Sequence, residues 1–457
     1  MCRFPCLKAL PIVLFWLAAA GCSSFSTSPD YLAQADSDHQ NLVSWSELDE
    51  GSETAYLDDL VNSDALSALI AEAREANPDL GQTLLSLEIL QAQYRATRAD
   101  QLPEVDAGFG ANKTEDLDTS YTGSISVSWE LDLWAKISDK ASAAESDVAE
   151  QLALYQAARD TLAAEVMQGW LKLVNLNRSV AIAEQRVELL EKNEQWILQR
   201  YRSGLGDLED LDSAQSSAAS ARATLFATQE SLQQQQRALN LLLGRSYGST
   251  AIAADYPQVL LPLAGLADQT LQRRPDLKAA YLAIEASDFR TSVAYKEMLP
   301  SISLGAALSD TGTSPGEALL KNPVWSLLGQ LTAPLFRGGE LKANAEAAEL
   351  TTARSYQAYR ETLLNAVQEV ENAIGQESSL AKQQQQIDSA LLSARRNYEQ
   401  YQQKYRNGLV SVLDLLEVQR QTFDLESQLN DLIYERLSNR ITLGLALGLG
   451  IKETDQS

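Results

Sequence analysis

The chain has 457 residues, with 62 acidic against 37 basic side chains and a formal net charge of −25. That length suffices for two or three ordinary domains. The charge argues against a nucleic-acid partner, which wants a basic stripe. One histidine, His39, and three cysteines leave little for His- or Cys-based chemistry. No Ser-His-Asp set, metal-ligand cluster or phosphate loop is written in the text, so neither an enzyme nor a resident cofactor is expected.

Residues 1–21 read as an export signal. Arg3 and Lys8 precede a short apolar run from Leu10 to Ala20, which at about 11 residues cannot span a bilayer. "LAAAGCSS" follows and resembles a lipobox, with Ala19 where that motif more often has Leu; it predicts a lipid on Cys22. Ser23, in place of an aspartate retention cue, points to the outer membrane of a Gram-negative cell. Cys2 and Cys6 leave with the signal, so packing or assembly must hold an exported chain without disulfides. Residues 22–63 are an acidic arm. No Lys or Arg occurs between Ser23 and Ala73, and the composition predicts an extended or loosely ordered segment rather than a core.

The body is written twice. "NPDLGQTLLSLE" from Asn77 aligns with "RPDLKAAYLAIE" from Arg274, "DLWAKI" from Asp132 with "PLFRGG" from Pro334, and "QRYRSGLGDLEDLDSAQ" from Gln199 with "QKYRNGLVSVLDLLEVQ" from Gln403. The copies are residues 64–250 and 265–450, joined by a linker over 251–264 and followed by a tail over 451–457. Two copies are too few for a solenoid and suggest pseudo-symmetry. In each, a helix ends before Leu-Pro (Leu102-Pro103 and Leu299-Pro300), because proline lacks the N–H and restrains its predecessor. In the first copy a helix of about 66 residues then runs from Ile137 to Arg202, about 100 Å long. Val166, Leu173, Val180 and Val187, with Leu162, Leu176, Ala183, Leu190 and Ile197 between them, give a heptad pattern interrupted at Gly169. A glycine turn reverses the chain into a helix ending near Leu243.

Between the first helix and the long one lie paired alternating runs, within 104–134 and 301–336. Tyr121, Gly123, Ile125, Val127, Trp129, Leu131 and Leu133 share one face; Thr122, Ser124, Ser126, Ser128, Glu130 and Asp132 share the other. Val105, Ala107, Phe109 and Ala111 alternate likewise, as do Ile302, Leu304, Ala306 and Leu308. The run from Trp325 to Leu335 is less clean, with Leu328 on its polar face. Length and pattern fit transmembrane barrel strands. Four strands cannot close a barrel, and an open edge in lipid leaves backbone groups unpaired, so the chain must assemble: two copies give eight strands, three give twelve and room for a pore.

The lipobox, the paired "PDL" helices, "DLW" at a strand end and the twin "YRxGL" turns resemble the TolC-like outer-membrane factors, specifically their lipoprotein, NodT-like efflux branch. The likeness covers the whole mature chain. It implies a mainly α fold with a small β part: a trimer sharing a twelve-stranded outer-membrane β-barrel above a periplasmic α-barrel of helical hairpins. It implies passive export of drugs or other small molecules, with a periplasmic adaptor protein and an inner-membrane efflux pump as partners besides outer-membrane lipid. The tips near 204 and 408, with Tyr201, Arg202, Gly204 and Leu205 and with Tyr405, Arg406, Gly408 and Leu409, are where the adaptor would dock. Leu413, Glu417 and Arg420 fall at i, i+4 and i+7 on one helix face. The resemblance implies that they form the periplasmic gate, with Glu where the family more often has Asp. The first copy has Glu209, Ser213 and Ser216 in those places. A type I protein-secretion duct and a structural periplasm-spanning rod are the alternative readings.

Overall fold

The computed structural model describes residues 29–42, 45, 52, 54–264 and 271–452. The export signal and Cys22 lie outside the described residues. In chain order the elements are α1 (Tyr31–Gln40), α2 (Asp64–Ala76), α3 (Pro78–Ala99), β1 (Glu104–Asn112), β2 (Ser120–Leu131), α4 (Lys136–Arg202) and α5 (Leu208–Leu242). The second half adds α6 (Pro275–Lys296), β3 (Ser301–Gly312), β4 (Val324–Thr332), α7 (Glu340–Arg406) and α8 (Val412–Ala446). The duplication is exact in helix length: α3 and α6 have 22 residues, α4 and α7 have 67, α5 and α8 have 35.

Local chemistry explains the boundaries. Asn77 ends α2 and starts α3. Its Oδ1 accepts from the amides of Asp79 at 2.9 Å and Leu80 at 3.0 Å, and Pro78 takes the first helical position. Its Nδ2 donates to the carbonyl of Leu242 at 2.9 Å, tying the start of α3 to the end of α5. Asp132 of "DLWAKI" satisfies the first amides of α4, accepting from the N–H groups of Ile137 and Ser138 at 2.9 and 2.8 Å. The α4 helix runs unbroken through Gly169, whose carbonyl accepts from Gln235 Nε2 of α5 at 3.1 Å.

Helix α4 is the spine. On the strand side it packs against α3 and α6, and toward its far end against α5 and α8. Where these pairs meet, a core of Leu162, Val166, Met167, Leu171 and Leu173 closes on Leu66, Ile70, Leu239 and Ile441. The acidic arm departs from the expectation of loose order. Helix α1 lies on the second repeat with Ala35 fully buried, and Tyr356 donates to Asp38 at 2.9 Å. Further on, Leu57 and Leu60 are fully buried, and Ser52 and Val61 bridge to Pro262 and Val259 of the inter-repeat linker. Ala35, Leu57 and Leu60 are buried against elements far along the chain, so no periodicity within the arm announces them.

The four strands form one antiparallel sheet in the order β1-β2-β3-β4. Its register places Val105, Ala107 and Phe109 beside Val127, Ile125 and Gly123, then Ile125, Val127 and Trp129 beside Leu308, Ala306 and Leu304, then Ala306 and Leu308 beside Leu327 and Trp325. One face is therefore apolar across every strand. The other carries Glu104, Asp106, Ser124, Ser126, Ser128, Glu130, Ser303, Ser326 and Gln330, with Leu328 as the exception already visible in the alternation. Beyond the strands, residues 313–323 fold back on the apolar face at the end away from the helices. They come so close that a Cβ on Gly123 would sit 2.1 Å from the carbonyl oxygen of Ala318, so only glycine fits there. Among the described residues no helix is long and apolar enough to cross a membrane.

Candidate functional site: the sheet face and the hairpin tips

Apart from the patch around Gly123 that residues 313–323 cover, the apolar sheet face is bare within the protomer. Val105 is 66% exposed, Trp325 77% and Leu327 73%. At about 25 cal/mol per Å² such an area does not stay in water. Aromatic side chains bound it: Phe109, Tyr121 and Trp325 near the loop end, Trp129, Trp134 and Phe336 near the helix end. That is the layout of a lipid belt between two interfaces. The indoles of Trp129 and Trp134 donate to the carbonyls of Gln101 and Pro300 at 3.1 and 2.6 Å, anchoring the sheet to its supporting helices. Strands β1 and β4 are sheet edges with one side unpaired, and lipid cannot satisfy that side.

The opposite pole holds the tips. Gly204 and Gly408 take left-handed φ angles of +72° and +74°, and Leu205 and Leu409 donate back to the carbonyls of Arg200 and Lys404 at 2.9 Å each, closing both long helices in the same way. Asp207 caps α5, and Ser411 with Asp414 forms a reciprocal capping box on α8. Ser411 donates to the Asp414 carboxylate and holds it below the ordinary range.

The tips are not equivalent. Tyr201, Arg202, Gly204, Leu205, Arg406, Gly408 and Leu409 are exposed, whereas Tyr405 is turned inward and buried. It joins Ile197, Leu211, Ala214, Val412 and Leu415 in a small core that fastens one tip to the other. Arg200 spans the joint. It donates to the Tyr405 hydroxyl at 3.3 Å and the Leu205 carbonyl at 3.0 Å, and its guanidinium lies over the rings of Trp196 and Tyr405. The Trp196 and Tyr405 rings meet edge to face at 5.1 Å. Sequence reading passed over Arg200, one residue before the repeated motif; the signal available was its replacement by Lys404 in the second copy.

Leu413, Glu417 and Arg420 do share one exposed face of α8. Arg420 forks onto Glu417 at 2.6 and 3.0 Å and reaches Asp424 at 3.0 Å. The hydrogen bond from Arg420 holds the Glu417 carboxyl below its ordinary range. Arg186 of α4 extends the row to Asp424 at 3.4 Å, so the first hairpin is ionically linked to the second. Higher up, Asn175 of α4 and Asn430 of α8 interlock: Asn430 Nδ2 donates to the Asn175 carbonyl at 3.0 Å, Asn175 Nδ2 to Asp431 at 3.0 Å, and Tyr256 of the linker donates to Asn430. Burial of the Tyr256 phenol pushes its pKa up to about 12. Among the described residues no group of three or more His, Cys, Asp or Glu side chains is placed to hold a metal ion.

A lipid-facing sheet with open edges, standing on helices about 100 Å long, defines an assembling outer-membrane channel component rather than an enzyme. The chain belongs to the outer membrane efflux protein family, whose model matches residues 69–245 and 266–449, one segment in each repeat. It is similar to the cation efflux system protein CusC of Escherichia coli O157:H7, 28% identical over 98% of this chain and 99% of that one. It is also similar to the outer membrane protein OprJ of Pseudomonas aeruginosa, 29% identical over 85% of each. Among solved structures, a membrane protein from Pseudomonas aeruginosa superposes with a TM-score of 0.85 at 26% identity, over 89% of this chain and 97% of that one. CusC superposes with a TM-score of 0.81 at 25% identity, over 90% and 97%. The protein is thus an outer-membrane efflux channel of a Gram-negative bacterium.

Proposed function

We propose that three copies of this chain close a twelve-stranded barrel, β4 of each pairing with β1 of the next, and that the hairpins below it form the periplasmic duct of a tripartite pump. The observation that carries this reading is the continuous apolar sheet face with two unpaired edges. β1 and β4 run antiparallel in a four-stranded meander, so rotation about an axis joins them with every ladder group paired. A lipid on Cys22 anchors the N-terminus to the membrane. A periplasmic adaptor docks on the exposed tip residues, and an inner-membrane pump supplies the cargo. Relatives matching this chain at 26–28% identity carry names for cation, pyoverdine and toluene export, so cargo choice falls to the pump and the duct conducts passively.

The second hairpin carries the gate. Threefold repetition turns Leu413 into an apolar ring and Glu417, paired with Arg420, into a charged one. Leu413→Ala combined with Glu417→Ala raises single-channel conductance in planar bilayers and weakens cation preference, whereas Glu209→Ala with Ser213→Ala changes both much less. Unchanged conductance in the first pair removes the gate from this hairpin. Mass spectrometry of the mature protein checks the lipid, and light scattering in detergent checks the three copies.

A further inference from the structure

The duplicated helices align position for position, since α4 and α7 have 67 residues each and α5 and α8 have 35 each. Within the protomer α4 of the first hairpin lies against α8 of the second, which leaves α5 and α7 as outer flanks. At that inner contact Asn193 Nδ2 donates to Gln419 Oε1 at 3.1 Å, and Asn430 Nδ2 donates to Ser179 Oγ at 2.9 Å.

The flanks carry the same amides. Asn397 of α7 stands where Asn193 stands in α4, and Gln215 of α5 stands where Gln419 stands in α8. The asparagine–glutamine pair is thus written twice and made once within the chain. Exposure follows the unmade half. Gln419 is 2% exposed, whereas Gln215 is exposed. Asn430 is 4% exposed, whereas Phe226, its counterpart in α5, is 67% exposed. A lone bare ring would need no explanation; this one falls at the position whose counterpart a neighbouring hairpin buries. Charge separates the two contacts. The inner one has an Arg186–Asp424 bridge at 3.4 Å, and the same positions on the flanks hold Ala390 and Ser220. An outer seam has no ion pair at that level, so neutral amides must fix its height. The surface that presents an asparagine to Gln215 with the spacing of the inner contact is the other flank of this same chain.

We propose that α7 of each protomer seats on α5 of the next, with Asn397 donating to Gln215 and Phe226 lying against Ser379 and Gln383, the counterparts of Asn175 and Ser179. This rests on the rotational assembly proposed above and adds the level at which the helices of adjacent copies lock.

The test is thiol cross-linking of the intact protein in detergent with a short bis-methanethiosulfonate, read on denaturing gels without reductant. The chain with no added cysteine sets the background. Asn397→Cys with Gln215→Cys, and Gln383→Cys with Phe226→Cys, are matched pairs. Gln383→Cys with Gln215→Cys is mismatched by about 21 Å along α7. All four positions are exposed or half-buried, so the fold tolerates the changes. Both matched pairs should give covalently linked multimers, and the mismatched pair none above background. In a preparation that light scattering shows to hold three copies, failure of either matched pair, or equal linking by the mismatched one, overturns the seam and leaves the assembly standing. A preparation of single chains overturns the assembly and the seam with it.

Discussion

The joint between the two tips gives the sharpest test of how the hairpins are held. Tyr405→Phe keeps the ring against Trp196 and under Arg200 but deletes the hydroxyl that accepts at 3.3 Å. Hydrogen bonds from charged donors contribute about 1.5–3 kcal/mol when short and buried. At this length, with the guanidinium partly in water, about 1 kcal/mol per protomer is expected, roughly fivefold in the equilibrium between joined and separated tips. Arg200→Ala removes that bond, the bond to Leu205 and two ring contacts worth about 0.5–1 kcal/mol each. Its expected cost is about 3 kcal/mol, more than a hundredfold. The assay is open probability in planar bilayers, supported by hydrogen exchange across residues 405–415. Exchange should quicken slightly in Tyr405→Phe and strongly in Arg200→Ala, with open probability following the same order. If Arg200→Ala gates and exchanges like wild type while the Leu413 and Glu417 double variant opens, the joint does not hold the second tip.

Three further outcomes follow from other parts of the molecule. Leu327→Arg on the apolar sheet face should cost about 2–4 kcal/mol and abolish the assembled species on semi-native gels, whereas Ser326→Arg on the polar face should leave assembly intact. Burial raises the pKa of Asp160, which accepts from the Ile451 amide at 3.2 Å. The folded state then holds this proton more tightly than the unfolded one. The contribution of Asp160 therefore falls as pH rises from the unfolded value of 3.8 through the raised folded value. Asp160→Asn should remove that decline, so the Tm difference between variant and wild type should grow in the variant's favour from about pH 4 toward neutrality; a constant difference refutes the linkage. An epitope inserted at Asp116 or Gly316 should be accessible on intact cells with the channel still assembled. Gly312→Ala should disturb the loop, because a Cβ there meets Glu317 at 2.4 Å, whereas Gly316→Ala meets open space.

Much of this was legible because the chain repeats itself. Two copies of a glycine turn at fixed offset located both tips, and strict alternation over Tyr121–Leu131 located the sheet face. Long-range pairing was harder to read. Arg200 meets Tyr405 across 205 positions, and nothing local to either residue signals the other. The arm was misjudged for a related reason. Ala35, Leu57 and Leu60 are ordinary residues in acidic text, and their burial depends on surfaces built by helices hundreds of residues away. Spacing alone puts Leu413, Glu417 and Arg420 on one face, but Asp424 and Arg186, which extend the Glu417–Arg420 ion pair to the neighbouring hairpin, required the fold.

The equal helix lengths of the two repeats carry a geometric consequence. Since α4 matches α7 residue for residue and α5 matches α8, both hairpins hang to the same depth and their turns are level. A rotational assembly of such units ends in a flat rim, on which one partner can seat every turn at once. Seven residues added to α7 and compensated in α8 would lower every second turn by about 10 Å. The rim would become a crenellated edge with half its contact points out of reach. Insertions that a surface loop tolerates are therefore closed to these helices unless both repeats change together.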